Sequence, residues 1–213
     1  MLRKLIGVSF MCVSALQANA AAAQDFSANI GWNSEYLYRG IPQKESSVFA
    51  GVDLETGGFY LGAWGADVGD GLEIDYYGGY GFKAGNFGFS IGATLYTYTG
   101  NFDDTYKELN FEFSWAGLSF DIAAGKWDNF GQPALSYQFY SMTAEHRGLF
   151  GTIGLFRDEF DGTYYEAGFG NTLKVKDRNI LDYKLALVHS SDSLLGGVSD
   201  TNLVLTLSRP FSL

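Results

Sequence analysis

The sequence predicts an all-β protein, an antiparallel barrel of about twelve strands, and three observations lead to this class. Apolar and polar residues alternate with a period of two along most of the chain, which places them on opposite faces of strands. Glycine (28 residues) and aromatic residues (17%) are abundant while proline occurs three times, a composition typical of closed sheets. No window keeps a helical period beyond a turn or two.

The first residues are predicted to be a cleaved secretory signal peptide. Arg3 and Lys4 give it a basic start, residues 5–16 form an apolar run too short to span a membrane as a helix, and residues 18–23 offer small-residue cleavage sites. We therefore assign residues 1–23 to the signal peptide and exclude them from the fold.

The mature chain, residues 24–213, is predicted to be one domain. It contains no cysteine, because Cys12 lies in the signal peptide without a convincing lipobox, so no disulfide framework is expected. Without Arg3 and Lys4, the 14 basic residues of the chain fall to 12 against 24 acidic ones, a net charge of −12. This charge argues against nucleic acid as a partner.

The stretch from Asp25 to Gln43 shows the alternation most clearly. Its even positions are mostly apolar or aromatic and its odd positions are polar. About fourteen alternating residues exceed the usual strand length and suffice for a tilted membrane strand. This pattern predicts that Tyr36 and Tyr38 face outward and that Glu35 and Arg39 face the lumen at one rim.

Eleven further alternating segments follow, separated by connections of two kinds. Short turns are predicted at 56–58, where paired glycines suit a hairpin, and at 83–86, 116–117, 146–148 and 176–179. Longer loops are predicted at 40–46, 67–71, 100–104, 128–133, 158–162 and 190–199.

Alternation alone does not distinguish a secreted soluble barrel, with its apolar face inside, from a membrane barrel. Three features favour the membrane barrel: connections that alternate in length, aromatic residues near strand ends, and a last strand with Phe211 close to its end, although Ser212 and Leu213 follow it. An even strand count then places both termini in the periplasm.

The first hundred residues resemble a known family. Ser34-Glu35-Tyr36 with Arg39-Gly40-Ile41, then Gly58 to Trp64, then Glu73 to Tyr80, are similar to blocks of the TorF-like putative porins, the Gcw_chp family of proteobacterial proteins. The resemblance implies an outer-membrane β-barrel of the porin kind. It implies no established substrate and no catalytic residue.

In the membrane interpretation, the polar face lines the lumen and could set selectivity. Its carboxylates are Glu35, Asp53, Glu73, Asp75, Glu108, Glu112, Asp121, Glu145, Glu166 and Asp182, and its basic members are Arg39 and Lys184. Acidic linings favour cations. Two interpretations remain open: a narrow cation-preferring channel, and a structural network of ion pairs and tyrosines that plugs the lumen.

Enzymatic function is not expected. The mature chain has only His146 and His189 as candidate bases and no G-x-S-x-G elbow. The acidic loops lack the spacing of an EF-hand, so no metal or cofactor is predicted. The sequence therefore predicts an outer-membrane porin-like channel for small solutes or ions, in contact with lipid and lipopolysaccharide. The alternative is a non-conducting structural or surface-interaction barrel, and the oligomeric state is open.

Overall fold

The computed structural model describes residues 25–176 and 178–212. The predicted signal peptide, with Cys12, lies outside these residues. Within the described ranges the chain forms twelve strands. They are β1 (Asp25–Tyr38), β2 (Ile41–Thr56), β3 (Phe59–Gly69), β4 (Gly71–Ala84), β5 (Phe87–Tyr98), β6 (Tyr106–Trp115), β7 (Leu118–Trp127), β8 (Leu135–His146), β9 (Leu149–Asp158), β10 (Gly162–Val175), β11 (Arg178–Ser190) and β12 (Asp200–Ser212).

The strands form one closed antiparallel barrel in which each strand pairs with its neighbours in sequence. The barrel closes where β1 pairs with β12, from Ser27 opposite Ser212 to Asn33 opposite Thr206. The predicted twelve-stranded barrel is therefore confirmed, and its first and last strands begin and end at the same rim. A single short 3₁₀ turn, Asn129–Gly131, interrupts the β7–β8 connection. The described ranges contain no helix with the length and apolarity to span a membrane.

The two faces of the wall differ as the alternation predicts from β2 to β12. Leu61 and Leu203 point outward and are each 63% exposed, whereas Glu73 points inward and is 1% exposed. Backbone N–H and C=O groups of every wall strand are paired around the closed sheet, which is the condition for exposing such a surface to lipid.

Large aromatic side chains that point into the barrel lie over glycines of the neighbouring strand. A Cβ on Gly125 would lie 2.2 Å from the Tyr137 ring, and one on Gly154 would lie 2.2 Å from the Tyr164 ring. Any side chain at these positions would displace the ring. This close approach explains why glycine and aromatic residues are enriched together.

Two of the predicted loops are wrong. The segment predicted as a loop at 40–46 belongs mostly to β2, and only Arg39 and Gly40 connect it to β1. Both residues have positive φ, 49° and 81°, as a two-residue hairpin turn with the twist of its strands requires. The loop predicted at 67–71 shrinks to Asp70. The longest connections, at 99–105, 128–134 and 191–199, lie at the same rim as the Arg39–Gly40 turn.

Candidate functional site in the barrel lumen

The end of the β1–β2 hairpin leaves the barrel wall. The β1–β12 ladder stops at Asn33, and the β2–β3 ladder starts only at Phe49. Between these points residues 34–46 pair in the backbone ladders only with each other, from Glu35 opposite Glu45 to Tyr38 opposite Ile41. We call residues 34–46 the hairpin tip.

Local irregularities turn the hairpin tip inward. The Ser34 hydroxyl accepts a hydrogen bond from the Leu205 backbone N–H at 2.8 Å in place of a ladder bond. Ser46 has a φ of 54°, and the β1–β2 register shifts between Tyr36 and Leu37. Bulges of this kind bend a strand and change where its side chains point.

Together these irregularities overturn the prediction of which side chains of the hairpin tip face the lumen. Tyr36 is 1% exposed, and its hydroxyl donates a hydrogen bond to Glu73 inside the barrel. The Tyr38 hydroxyl donates to Glu108 at 3.3 Å. The prediction that both tyrosines face outward was therefore wrong. The prediction that Glu35 faces the lumen was also wrong. Glu35 lies on the opposite face of the hairpin, partly exposed, beside its cross-strand partner Glu45.

The apex of the hairpin tip folds over the lumen and contacts β11 and β10, which are two and three strands away from β1 in the barrel. The Gly40 carbonyl accepts a hydrogen bond from the Ser190 hydroxyl of β11 at 2.7 Å. A Cβ on Gly40 would lie 2.5 Å from Cβ of Tyr164 on β10. Leu37 and Ile41 pack on the buried cluster that contains Tyr164. The tip is thus fixed over one mouth of the barrel.

Arg39, at the apex, binds Glu108 of β6 through both ends of its guanidinium group. The Nη1–Oε1 distance is 2.6 Å and the Nη2–Oε2 distance is 3.0 Å. The guanidinium carbon lies 4.1 Å from the centre of the Phe139 ring and 4.9 Å from that of Tyr38. Burial alone would lower the pKa of Arg39, but Glu108, Tyr38 and Tyr96 together outweigh burial and raise that pKa.

Tyrosines complete this network. Glu108 is 3% exposed and accepts hydrogen bonds from five residues. The donors are Arg39, Tyr38, Tyr96 at 3.0 Å, Tyr137 at 2.7 Å and Asn110 at 2.9 Å. Glu73 accepts from Tyr36 and, at 3.0 Å, from Tyr98. We call this region, beneath the hairpin tip, the tip-side lumen.

The remainder of the interior, toward the turns at 57–58, 85–86, 116–117 and 147–148, has contacts of shorter range. We call it the turn-side lumen. Most of its hydrogen bonds join neighbouring strands: Asp121 with Ser141 at 2.7 Å, Thr143 with Thr152 at 2.8 Å, Thr172 with Asp182 at 2.6 Å and Lys184 with Glu166 at 2.9 Å. The Tyr77 hydroxyl of β4 reaches past β3 to donate to Asp53 of β2. Glu112 and Asp121 face each other across β6 and β7.

Apart from Glu35, the predicted lumen residues share the inner face. Asp53, Glu73, Asp75, Glu108, Glu112, Asp121, Glu145, Glu166, Asp182 and Lys184 lie on it, and Arg39 enters it from the hairpin turn. Lys83 and Lys174 follow the same parity but are exposed at the turn-side rim. The sequence predicted Tyr36 and Tyr38 to face outward, and it named no individual tyrosine as a partner of a lumen carboxylate, although Tyr96 and Tyr98 share the parity of the acidic positions.

A closed barrel with an apolar outer face and a polar interior is the architecture of outer-membrane β-barrel proteins. Within that class, the chain belongs to the family described as "Bacterial protein of unknown function (Gcw_chp)", whose model matches residues 17–147. The resemblance noted in the sequence is thereby confirmed. No curated protein matches the sequence.

Solved structures resemble the chain at low sequence identity. A protein solved in work headed "Unveiling the Mechanism Behind the in-meso Crystallization of Membrane Proteins" has a TM-score of 0.56 at 7% identity, covering 89% of this chain and 84% of that one. OprD from Pseudomonas aeruginosa has a TM-score of 0.43 at 12% identity, with 89% and 65% covered. OccK1 (OpdK) from the same organism has 0.40 at 14%, with 82% and 59% covered. The chain thus spans about three fifths of OccK1.

Proposed function

We propose that the protein is an outer-membrane porin-like channel for small solutes or ions and that its acidic lumen favours cations. The observation that carries the proposal is the charge of the inner face. Nine of the predicted carboxylates lie on this face. Among the described residues, the basic side chains that lie on it away from the rims are Arg39 and Lys184. Arg39 pairs with Glu108 and Lys184 with Glu166, so carboxyl groups clearly outnumber basic side chains on the described inner face.

In this proposal the hairpin tip is the constriction. Arg39 and Glu108 meet across the barrel, so a solute must pass beside this ion pair or displace it. The turn-side lumen, with its serines, threonines and glycines, forms the wider vestibule. A mouth narrowed by a charged pair and followed by an acidic vestibule would admit small cations or neutral solutes and repel anions.

The orientation follows the convention of such barrels. Longer connections are usually external and two-residue turns periplasmic. We therefore place the hairpin tip and the loops at 99–105, 128–134 and 191–199 outside the cell, where their acidic residues face lipopolysaccharide. Both termini would lie in the periplasm. The outer wall would contact membrane lipid, and no enzymatic role is proposed.

A second candidate is a non-conducting barrel with a structural or surface-interaction role. The dense tip-side network favours it, because Glu73 and Glu108 already bind most of the hydroxyl and guanidinium donors around them. A barrel that never opens at this network would carry no current, and its loops would be the functional surface.

Planar-bilayer recording in a KCl gradient distinguishes the two. The channel proposal predicts discrete conductance steps. It also predicts a reversal potential whose sign shows that K⁺ is more permeant than Cl⁻. Liposome swelling with neutral and charged solutes of increasing size would then give the size limit and the substrate class. Absence of conductance would favour the structural barrel, and Cl⁻ selectivity would exclude the cation-preferring version.

A further inference from the structure

Asp75 is a carboxylate of the tip-side lumen that the network leaves without a donor. It lies on β4, directly opposite Trp64 on β3 and Tyr96 on β5. Its Oδ1 atom is buried and has no hydrogen-bond partner among the described residues. Leaving a buried polar atom unpaired costs about 1–3 kcal/mol, and more for a charged group.

The adjacent acids explain why no donor is left for Asp75. Glu73, two residues away on the same strand face, accepts the hydroxyl protons of Tyr36 and Tyr98. Glu108 accepts that of Tyr96, the cross-strand neighbour of Asp75. A tyrosine hydroxyl has one proton to donate but can still accept a bond through its oxygen. The surroundings of Asp75 are therefore rich in acceptors and poor in donors.

The charges around Asp75 also favour a cation as its partner. Three carboxylates, Glu73, Asp75 and Glu108, meet in this region, and Arg39 is the one basic side chain that binds there among the described residues. Its guanidinium group is bound to Glu108. A group that brings both positive charge and several donors would satisfy the unpaired acid and the free oxygen lone pairs together.

Arg39 itself shows what kind of cation the region accommodates. Its guanidinium group binds a carboxylate while lying over the rings of Phe139 and Tyr38, at 4.1 and 4.9 Å. Carboxylate and aromatic ring together are a general recognition pattern for nitrogen cations. Asp75 lies between Trp64 and Tyr96 in the ladders, but the Trp64 ring packs on Tyr36 and Phe49 and the Tyr96 hydroxyl donates to Glu108. At Asp75 the carboxylate itself would therefore be the group that recognises the cation. Within the described residues no group of three or more His, Cys, Asp or Glu side chains is arranged to hold a metal ion.

We propose that Asp75 is a binding site for the ammonium or guanidinium group of a small organic cation. Part of the Asp75 surface stays accessible, and the lumen is the route of entry, so the proposal rests on the channel function for access. The bound cation would donate to Asp75 and to tyrosine oxygens beneath the hairpin tip. The site would give the channel a preferred class of solute.

Calorimetric titration of the folded full-length mature barrel in detergent tests the site, with ethylammonium chloride as the probe and NaCl at equal ionic strength as the reference. The wild type should show saturable binding of ethylammonium and none of Na⁺. Asp75→Asn and Asp75→Ala should each weaken binding by about tenfold or more, equivalent to ~1.4 kcal/mol. Asp161→Asn, which changes an exposed carboxylate of the β9–β10 connection, should leave the affinity unchanged.

Arg39→Ala gives a test of opposite sign. Removing the resident cation should tighten ethylammonium binding, because Asp75 and Glu108 then both lack a positive partner. Far-UV circular dichroism and heat-modifiable gel migration would verify that each variant is folded. Undiminished binding to both Asp75 variants, equal heats with NaCl, or no binding to the wild type would overturn the proposal.

Bilayer conductance, measured on the same preparations, separates this inference from the channel proposal. A conducting wild type that binds no ethylammonium would refute the site and keep the channel. A wild type that carries no current but binds ethylammonium through Asp75 would refute the channel and keep the site.

Discussion

The two halves of the lumen are built from the same alternating pattern but differ in what the pattern produces. In the tip-side lumen, carboxylates are buried and cross-connected by tyrosines and Arg39. In the turn-side lumen, carboxylates bond to short side chains on the adjacent strand. Glu108 and Glu112 show the contrast on one face of β6: Glu108 has five donor residues, whereas Glu112 faces another acid, Asp121.

This difference originates in the hairpin tip. Only there do strands leave the wall and bring side chains across the barrel, so only there can a residue of β1 or its turn bind a residue of β6. For the proposed channel, we therefore expect the hairpin tip to limit permeation and the regular part of the wall to set selectivity. Four predictions test that division, from the largest expected effect to the smallest.

Arg39→Ala should destabilise the barrel far more than Lys184→Ala, its counterpart in the turn-side lumen. Loss of Arg39 leaves the fully buried Glu108 side chain without its cation, a change that typically costs about 3–5 kcal/mol. In the Lys184–Glu166 pair the carboxylate side chain keeps 16% of its surface exposed, against 0% for Glu108, so loss of Lys184 should cost about 1–3 kcal/mol. Urea unfolding in detergent micelles measures both. Equal losses would show that the two halves are held alike.

Gly40→Ala should displace the hairpin tip and raise conductance. The added Cβ would lie 2.5 Å from the Tyr164 side chain, and the residue has a φ of 81°. Gly57→Ala is the matched control, because Gly57 has a φ of 57° but nothing within 4 Å of an added Cβ. Both variants should lose about 1 kcal/mol from backbone strain, and only Gly40→Ala should change single-channel conductance. A conductance change in both would remove the argument for contact at the apex.

Glu112→Gln should reduce the preference for cations modestly, since it removes one charge from the vestibule. Glu108→Gln should act mainly on stability and conductance, because it removes one side of the ion pair that holds the hairpin tip. Reversal potentials in a KCl gradient report the first effect and current amplitudes the second. If Glu108→Gln altered only selectivity, the ion pair would not be the constriction.

Lys107→Ala should have the smallest effect. Lys107 pairs with Asp128 at 2.6 Å on the outer face, where both side chains are exposed. Such pairs contribute about 0.2–1 kcal/mol, and this one lies outside the lumen. Unfolding free energy and conductance should both stay near wild-type values. A clear drop in conductance would place part of the conduction path at this rim.

The regular part of the molecule could be predicted from sequence because its signal is local. Period-2 alternation identified twelve strands and the faces of residues such as Asp53, Glu73 and Asp182. Each side chain there lies on the face that its even or odd position in the strand predicts, because the hydrogen-bond ladder fixes the face of every residue.

The hairpin tip could not be predicted in this way. Alternation continues through Tyr36 and Tyr38, and nothing in that pattern reveals the irregularities near Ser34 and Ser46. The partners of the tip, Glu108 and Ser190, are distant in sequence. Only the packing of the closed barrel brings them together, and the same packing determines that Glu35 faces away from the lumen.

Shortening the hairpin tip tests the central claim most directly. Replacing residues 36–44 with Asn-Gly would join Glu35 to Glu45, already cross-strand partners, through a two-residue turn. In planar bilayers the shortened barrel should conduct several-fold more current than the wild type, by removal of the constriction, and should retain cation preference from the turn-side carboxylates. Unchanged conductance, or loss of cation preference on shortening, would contradict the account.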